Sequence, residues 1–379
     1  MSKRKVLFLI ESLAGGGAEK VLTTLVQHID KVKFDVTVCA ISGGGKYESV
    51  VRENVKYHAI LNEPVNSTVF NGLIYKLKHH LVYQWLPLSW VYRLFVPLGN
   101  DVEVAYVEGF TTKLLSCSTN KAARKYAWVH CNMAMDHWTE SLFRTLAEEV
   151  HVYNRYNKVF CVSNTAVTGF RNTFAGVAVN IATLYNPINS QEIKNMAQEK
   201  KHMEHKKPLL VTVGRLEHQK GYDRLVRIAK RLVDEGYTFE LWILGVGSQE
   251  EELKQYIREN HLEECVKLLG FHTNPYKYIV QGDLFVCSSR SEGYSTAVTE
   301  ALILGLPVIT TECSGMAELL KNGECGIITN NDENAFYEGL KGLLNDAVLL
   351  EHYKEKAVER GKDFTIDSLM TPIEKLLAE

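Results

Sequence analysis

The chain has 379 residues, 46% of them hydrophobic and 23% charged, with a formal net charge of -2. That length favours two domains over one, the apolar content is enough for a full core, and the near-neutral balance gives no case for nucleic acid as a partner. Eight cysteines are scattered without any C-x-x-C pair, which points to reduced core thiols in a cytoplasmic protein rather than a zinc site or a disulfide framework.

The sequence opens with Lys3-Arg4-Lys5 before an apolar run over residues 6–10. A signal peptide needs a longer run, and Glu11 ends this one, so a buried first strand is expected. No run approaches the roughly 20 apolar residues of a membrane span. Gly15-Gly16-Gly17-Ala18-Glu19 follows, a Gly-rich strand-to-helix turn of the kind that lets backbone approach a phosphate. A dinucleotide fingerprint wants glycine where Lys20 stands, and an acid after the second strand (36–41), where Ser42 stands. A nicotinamide-dependent oxidoreductase is thus a rival from another class, disfavoured on both counts. Gly43-Gly44-Gly45-Lys46 lacks the spacing and the Ser or Thr of a phosphate loop and reads as a flexible turn.

Residues 69–98 carry Tyr75, Tyr83, Trp85, Trp90, Tyr92 and Phe95 among aliphatics, with Lys76, Lys78 and Arg93 and no acid. This composition suits peripheral contact with a membrane surface or a groove for a lipid-linked partner, and equally a packed helical hairpin. Asp101-Val102-Glu103 reads as a strand edge rather than a metal site. Further strands are expected over 102–107, 126–130 and 159–162, with helices over 18–28 and 141–153 between the strands; such alternation predicts a parallel sheet covered on both faces. His130 ends its strand, where a histidine can be structural or can face a ligand.

Pro187 closes this half, and the polar, lysine-rich stretch over 190–207 reads as a surface helix and connector. From Pro208 the alternation restarts, with strands over 209–213, 239–244, 266–269, 284–287 and 308–310 and a helix over 222–235. The expected division is an N-terminal domain over 1–187, a linker over 188–207, a second domain over 208–362 and a C-terminal helix within 363–379. Arg215 after the first strand of the second domain and Lys220 at its helix place two cations where open α/β sheets bind ligands. Glu292-Gly293-Tyr294-Ser295-Thr296 and Glu300 bracket a helix start, where free N–H groups attract anions and carboxylates accept hydroxyls. A ligand with phosphates in the middle and polyols at both ends suits this loop.

These pieces, in this order, resemble the retaining glycosyltransferases of family 4, which have the GT-B fold. The resemblance runs over nearly the whole chain: Gly15–Glu19, Tyr185-Asn186-Pro187-Ile188, Gly214-Arg215-Leu216 with Lys220-Gly221, Gly270-Phe271 with Asn274, Ser289-Arg290-Ser291-Glu292-Gly293, the Glu292/Glu300 pair, and Gly305-Leu306-Pro307-Val308-Ile309. It implies two Rossmann-like, doubly wound α/β domains facing a cleft, with the last helix crossing back to the first domain. It implies that Arg215 and Lys220 grip the donor diphosphate, that Glu300 binds the nucleotide ribose, and that Glu292 lies at the transferred sugar. It further implies that Gly293, Tyr294, Ser295 and Thr296 hold phosphate and sugar, that Phe271 lies against the base, and that Gly16 and Gly17 let their loop close over the diphosphate. His130 matches the family's cleft histidine.

The implied reaction moves a hexose-type sugar from a nucleotide-sugar, with uridine as the usual base (a UDP-sugar), to a glycan or lipid-linked acceptor in bacterial surface-polysaccharide biosynthesis. It needs no metal and no separate cofactor, and it places the protein in the cytoplasm or at the inner face of the cytoplasmic membrane. Tyr294-Ser295 depart from the Phe-Pro or Phe-Gly often found after the Glu-Gly of the family, so the sugar is open. A disaccharide synthase or phosphorylase on the same fold is the nearer rival, and an inactive sugar-binding subunit a more distant one.

Overall fold

The computed structural model describes residues 2–62, 69–199 and 207–379. The chain forms two units: Met1–Pro187 together with Asp367–Glu379, and Ile188–Ile366.

The first unit is built on seven parallel strands, β1 (Arg4–Ile10), β2 (Phe34–Ser42), β3 (Lys56–Leu61), β4 (Val102–Ala105), β5 (Arg124–Val129), β6 (Lys158–Cys161) and β7 (Asn180–Thr183). Their order is β3-β2-β1-β4-β5-β6-β7. Val6, Leu7, Phe8 and Leu9 are all buried, because helices cover both faces of a parallel sheet and leave no solvated side for polar residues to alternate onto. Val6 is in register with Val36 on one side and Val102 on the other. The winding direction therefore reverses between β1 and β4, the switch point at which open α/β sheets take ligands at the carboxyl ends of their strands. The helix Ile366–Ala378 completes this unit, burying Met370, Ile373, Leu376 and Leu377. The main-chain N–H of Asp30 donates to Glu374 Oε1 at 2.9 Å, and Lys158 pairs with Glu379.

The second unit has six parallel strands, β8 (Leu209–Val213), β9 (Glu240–Leu244), β10 (Val266–Gly270), β11 (Leu284–Cys287), β12 (Val308–Thr311) and β13 (Ile327–Thr329), in the order β10-β9-β8-β11-β12-β13. Its switch point lies between β8 and β11, so the loops that carry Lys220 and Glu292 leave neighbouring strands side by side.

Four expectations change. The strands β3, β7 and β13 were not anticipated. The helix expected over 141–153 is two pieces, a 3-10 turn Trp138–Leu142 and a helix Leu146–Tyr153, because Thr145 caps the latter by accepting the Glu148 N–H. Asp101-Val102-Glu103 is not a strand edge: β4 is interior, and Glu103 is fully buried, accepting from Tyr92, Ser118 and Asn120. Finally, the helix Ser190–Ala197 in the expected linker packs Ile193 and Ala197 into the second unit's core, while residues 200–206 lie outside the described residues.

The 69–98 segment folds as a helix Val69–His80, a π-helical turn Leu81–Trp85 and a helix Leu88–Phe95. Val82, Val91 and Tyr92 pack inward, and the Tyr83 hydroxyl donates to Glu11 at the end of β1. Leu73, Ile74, Leu77, Trp85, Trp90, Leu94 and Leu98 stay exposed, the two indoles at 62% and 63%. Among the described residues no helix is long and apolar enough to cross a membrane. All eight cysteines are free thiols.

Candidate active site

In the second unit, a pocket at the β8/β11 switch point is lined by Thr212, Lys220, Cys287, Ser289, Glu292 and Ser295 among others. Two loops meet there and are stitched by main-chain contacts. Ser288 Oγ donates to the carbonyls of Lys220 and Gly221 at 3.0 and 3.1 Å, Arg290 N donates to the Gln219 carbonyl at 2.7 Å, and Gln219 Nε2 donates to the Ser291 carbonyl at 3.0 Å. Gly221 has φ +67°, and a β-carbon there would stand 2.1 Å from the Ser288 carbonyl oxygen, so only glycine lets the loops approach this closely. Buried Arg224 adds donors to the Ser288 and Ser289 carbonyls, and Arg290 forks onto Asp223 at 2.6 and 2.8 Å. Burial would raise the Asp223 carboxyl, but Arg290 and Arg227 outweigh it and hold the pKa down at about 2. The Arg in Ser289-Arg290-Ser291 thus braces the loop.

Inside this frame Lys220 Nζ donates to Glu292 Oε1 at 2.7 Å, and Ser289 Oγ donates to the same oxygen at 2.6 Å. Burial pulls the Lys220 pKa down, yet the Glu292 charge and hydrogen bond raise it above the ordinary lysine value; the nearby Arg215 charge works against them. Lys220 is therefore a cation, with the exposed Arg215 within electrostatic reach. Ser295 caps the helix Thr296–Ile303, and Glu300, one turn in, is buried and accepts from the Tyr276 hydroxyl at 3.3 Å. Gly293 and Tyr294 form the bend before the cap and rest on Gly315, where a β-carbon would meet the Gly293 carbonyl oxygen at 2.9 Å. Phe271 is exposed just after β10. Among the described residues no group of three or more His, Cys, Asp or Glu side chains gathers as metal ligands would.

The first unit holds the remaining expected residues. Gly16 caps the helix Gly17–His28, and the Glu19 carboxylate accepts the N–H groups of Gly15 and Gly16 and the Ser12 hydroxyl. The loop's own acid thus holds the amides of Gly15 and Gly16. His130 follows β5, stacked on Trp128 and tilted against Tyr106, with ring centroids 5.8 and 5.0 Å away. Burial lowers its pKa to about 4 against the opposing pull of Glu108 and a hydrogen bond to the Tyr106 main chain, so the imidazole is neutral. Among the described residues its Nε2 is buried without a partner. Sequence reasoning missed Glu108, which accepts the His130 main-chain N–H at 2.8 Å, and Trp138 beside it. Their positions after β4 and β5, at the carboxyl ends of the strands, were the available signal.

Two doubly wound parallel-sheet units, one with a cationic, acid-paired pocket at a helix start, define a glycosyltransferase of the GT-B fold. Residues 194–360 match the model of glycosyl transferases group 1. That match spans most of the second unit. It is 29% identical over 367 residues to the N-acetylgalactosamine-N,N'-diacetylbacillosaminyl-diphospho-undecaprenol 4-alpha-N-acetylgalactosaminyltransferase of Campylobacter jejuni, covering 95% of this chain and 96% of the relative. It is 23% identical over 378 residues to the amylovoran biosynthesis glycosyltransferase AmsD of Erwinia amylovora, covering 95% of each. Anabaena HepE, solved in complex with UDP, superposes with a TM-score of 0.76 over 99% of each chain at 17% identity.

Proposed function

We propose that the protein transfers a hexose-type sugar, with retention, from a UDP-sugar to a hydroxyl of a glycan or lipid-linked saccharide during assembly of a bacterial surface polysaccharide. The observation that carries this reading is the Lys220–Glu292 pair beside the Ser295-capped helix start. The ammonium is charged and already dehydrated on one side, and exchanging its carboxylate partner for a phosphate frees Glu292 for the sugar hydroxyls. The Campylobacter and Erwinia relatives support the lipid-linked saccharide and the polysaccharide setting, and the HepE complex supports uridine.

The physical difficulty is departure of a diphosphate from an oxocarbenium-like carbon. Lys220, Arg215 and the amides opening at Thr296 meet that charge as it develops, without calling on a metal. Charge-assisted contacts contribute roughly 1.5–3 kcal/mol each, so two of them change the rate by about a hundredfold or more. Glu300 accepts the ribose hydroxyls, Gly293 and Tyr294 shape the phosphate bend, and Phe271 lies against the base. Neutral His130 offers Nε2 as an acceptor to a sugar hydroxyl. The acceptor attacks from the face the diphosphate leaves, and the departing phosphate takes its proton.

The exposed apolar face of 69–98, flanked by Lys76, Lys78 and Arg93, suits an anionic bilayer surface and would bring the enzyme to a lipid-linked acceptor. The deciding experiment is a thermal-shift panel of UDP-, GDP- and ADP-sugars, then transfer from each hit to soluble and lipid-linked saccharides with the product anomer read by NMR. An inverted product overturns the mechanism; transfer only to a free sugar phosphate moves the protein to the disaccharide synthases.

A further inference from the structure

At the carboxyl ends of β4 and β5, three segments of the first unit fix one tryptophan. Trp138 starts its 3-10 turn and is 48% exposed. Its Nε1–H donates to Glu108 Oε1 at 3.2 Å, and the other oxygen of Glu108 holds the His130 main chain. The residues on either side are pinned to a second carboxylate: His137 Nε2 lies 2.8 Å from Glu149 Oε2, and Thr139 Oγ1 donates to Glu149 Oε1 at 2.6 Å. Below the ring lies Gly109, where a β-carbon would come within 2.8 Å of the indole.

Two buried glutamates, 6% and 1% exposed, thus immobilise an aromatic ring that remains half in solvent. Fixing a large exposed side chain costs conformational entropy that packing does not return. The same order favours a ligand that would otherwise have to impose it. The chemistry around the ring is mixed: an apolar side where exposed Leu142 shares the Gly109 position with the indole, and a polar margin in Glu108 and His130, whose Nε2 has no partner among the described residues. The site lies beside the β1/β4 switch point, where this class of sheet takes ligands. A pyranose fits that pairing. Its axial C–H groups form an apolar, weakly positive face that meets the negative face of the indole, and its hydroxyls project from the edge toward polar groups.

We propose that Trp138 is a stacking platform for a pyranose ring of the acceptor saccharide, with Glu108 and Glu149 as positioning residues that hold it. The inference rests on the transferase reading and adds where the acceptor sugar lies. Its test uses the full chain labelled with 5-fluorotryptophan; of the five tryptophan resonances, the one lost in Trp138→Phe is assigned to Trp138. The probes are octyl glycosides of glucose, galactose, N-acetylglucosamine and N-acetylgalactosamine, and N-acetylgalactosamine carried on farnesyl diphosphate. The glycoside that the wild-type enzyme glycosylates should shift the Trp138 resonance, and UDP should not. Trp138→Ala should raise the acceptor KM about tenfold, and Trp138→Phe, which keeps a ring, by about threefold or less. Glu108→Gln should broaden the resonance and raise the acceptor KM as well, a combination that a merely structural role would not produce.

Acceptor saturation with an unmoved Trp138 resonance, or an unaltered acceptor KM in Trp138→Ala, overturns the platform and leaves the transferase standing. A shift produced by anionic vesicles and by no glycoside assigns the ring to a bilayer and also overturns it. Wild-type enzyme that transfers to none of the saccharides overturns the transferase reading, and the platform with it.

Discussion

Replacing Lys220 by methionine keeps the length of the side chain and removes its charge. Glu292, 9% exposed at its side chain, then keeps only the Ser289 hydroxyl among the donors described above. Stripping one partner from a fully buried ion pair costs about 3–5 kcal/mol. The Lys220 side chain is 21% exposed, so water reaches the vacated position and Ser289 retains one hydrogen bond, which brings the expected loss to about 2–3 kcal/mol. Glu292→Gln in the same chain removes the stranded charge, and the double variant should return to within about 1 kcal/mol of wild type. Trp242, buried on β9, is the one tryptophan between residues 188 and 366, so its fluorine resonance in urea reports the second unit alone. The cation should also set donor affinity, so stabilisation of wild type by saturating UDP should largely vanish in Lys220→Met. A single variant as stable as wild type, or a double variant no better than the single, refutes the view that this pair is a stored charge awaiting phosphate. Because the folded-state pKa of Lys220 is raised, its contribution is complete below pH about 10.5 and fades only as pH climbs through the higher folded value.

Gly221→Ala should destabilise the second unit by about 3 kcal/mol or more, from the left-handed backbone and from the collision with the Ser288 carbonyl; a urea midpoint equal to wild type would show that the loops part freely. His130 is held neutral, so the folded state resists the proton that the unfolded chain accepts: its contribution is present above pH about 6.5 and lost as pH falls toward about 4, by at most about 3 kcal/mol. His130→Gln should flatten that part of the stability–pH curve, and an NMR titration midpoint near 6.5 for this imidazole would contradict the assignment. Binding to anionic vesicles at low salt should weaken about tenfold in the Trp85→Ala, Trp90→Ala double variant; equal binding by both proteins would assign that face to other work.

Much of this molecule is legible in the sequence, and the limits have physical causes. β1, β8 and β11 announce themselves because strands buried on both faces read as near-continuous apolar runs. β3 and β7 escape notice because their ends are polar and partly exposed, as outer strands of a sheet permit. The meeting of Lys220 with Glu292 follows from an ordering rule, since loops after adjacent strands at a switch point must be neighbours. The Glu108, Trp138 and Glu149 assembly obeys no fixed spacing and depends on side chains turning toward one another across three segments, so periodicity does not reveal it. The misreading of Asp101-Val102-Glu103 has the same origin. A carboxylate at the core looks implausible until Tyr92, Ser118 and Asn120 are seen to surround it.

The docking of Ile366–Ala378 on the first unit carries a consequence for biosynthesis. A ribosome delivers the seven-stranded sheet early, yet the Asp30 amide and the ammonium of Lys158 find their acids only after the intervening sheet has been made. The earlier half must wait, unfinished at one flank, while the later half folds, and translation pauses or chaperones acting in that interval would decide how much of the product matures.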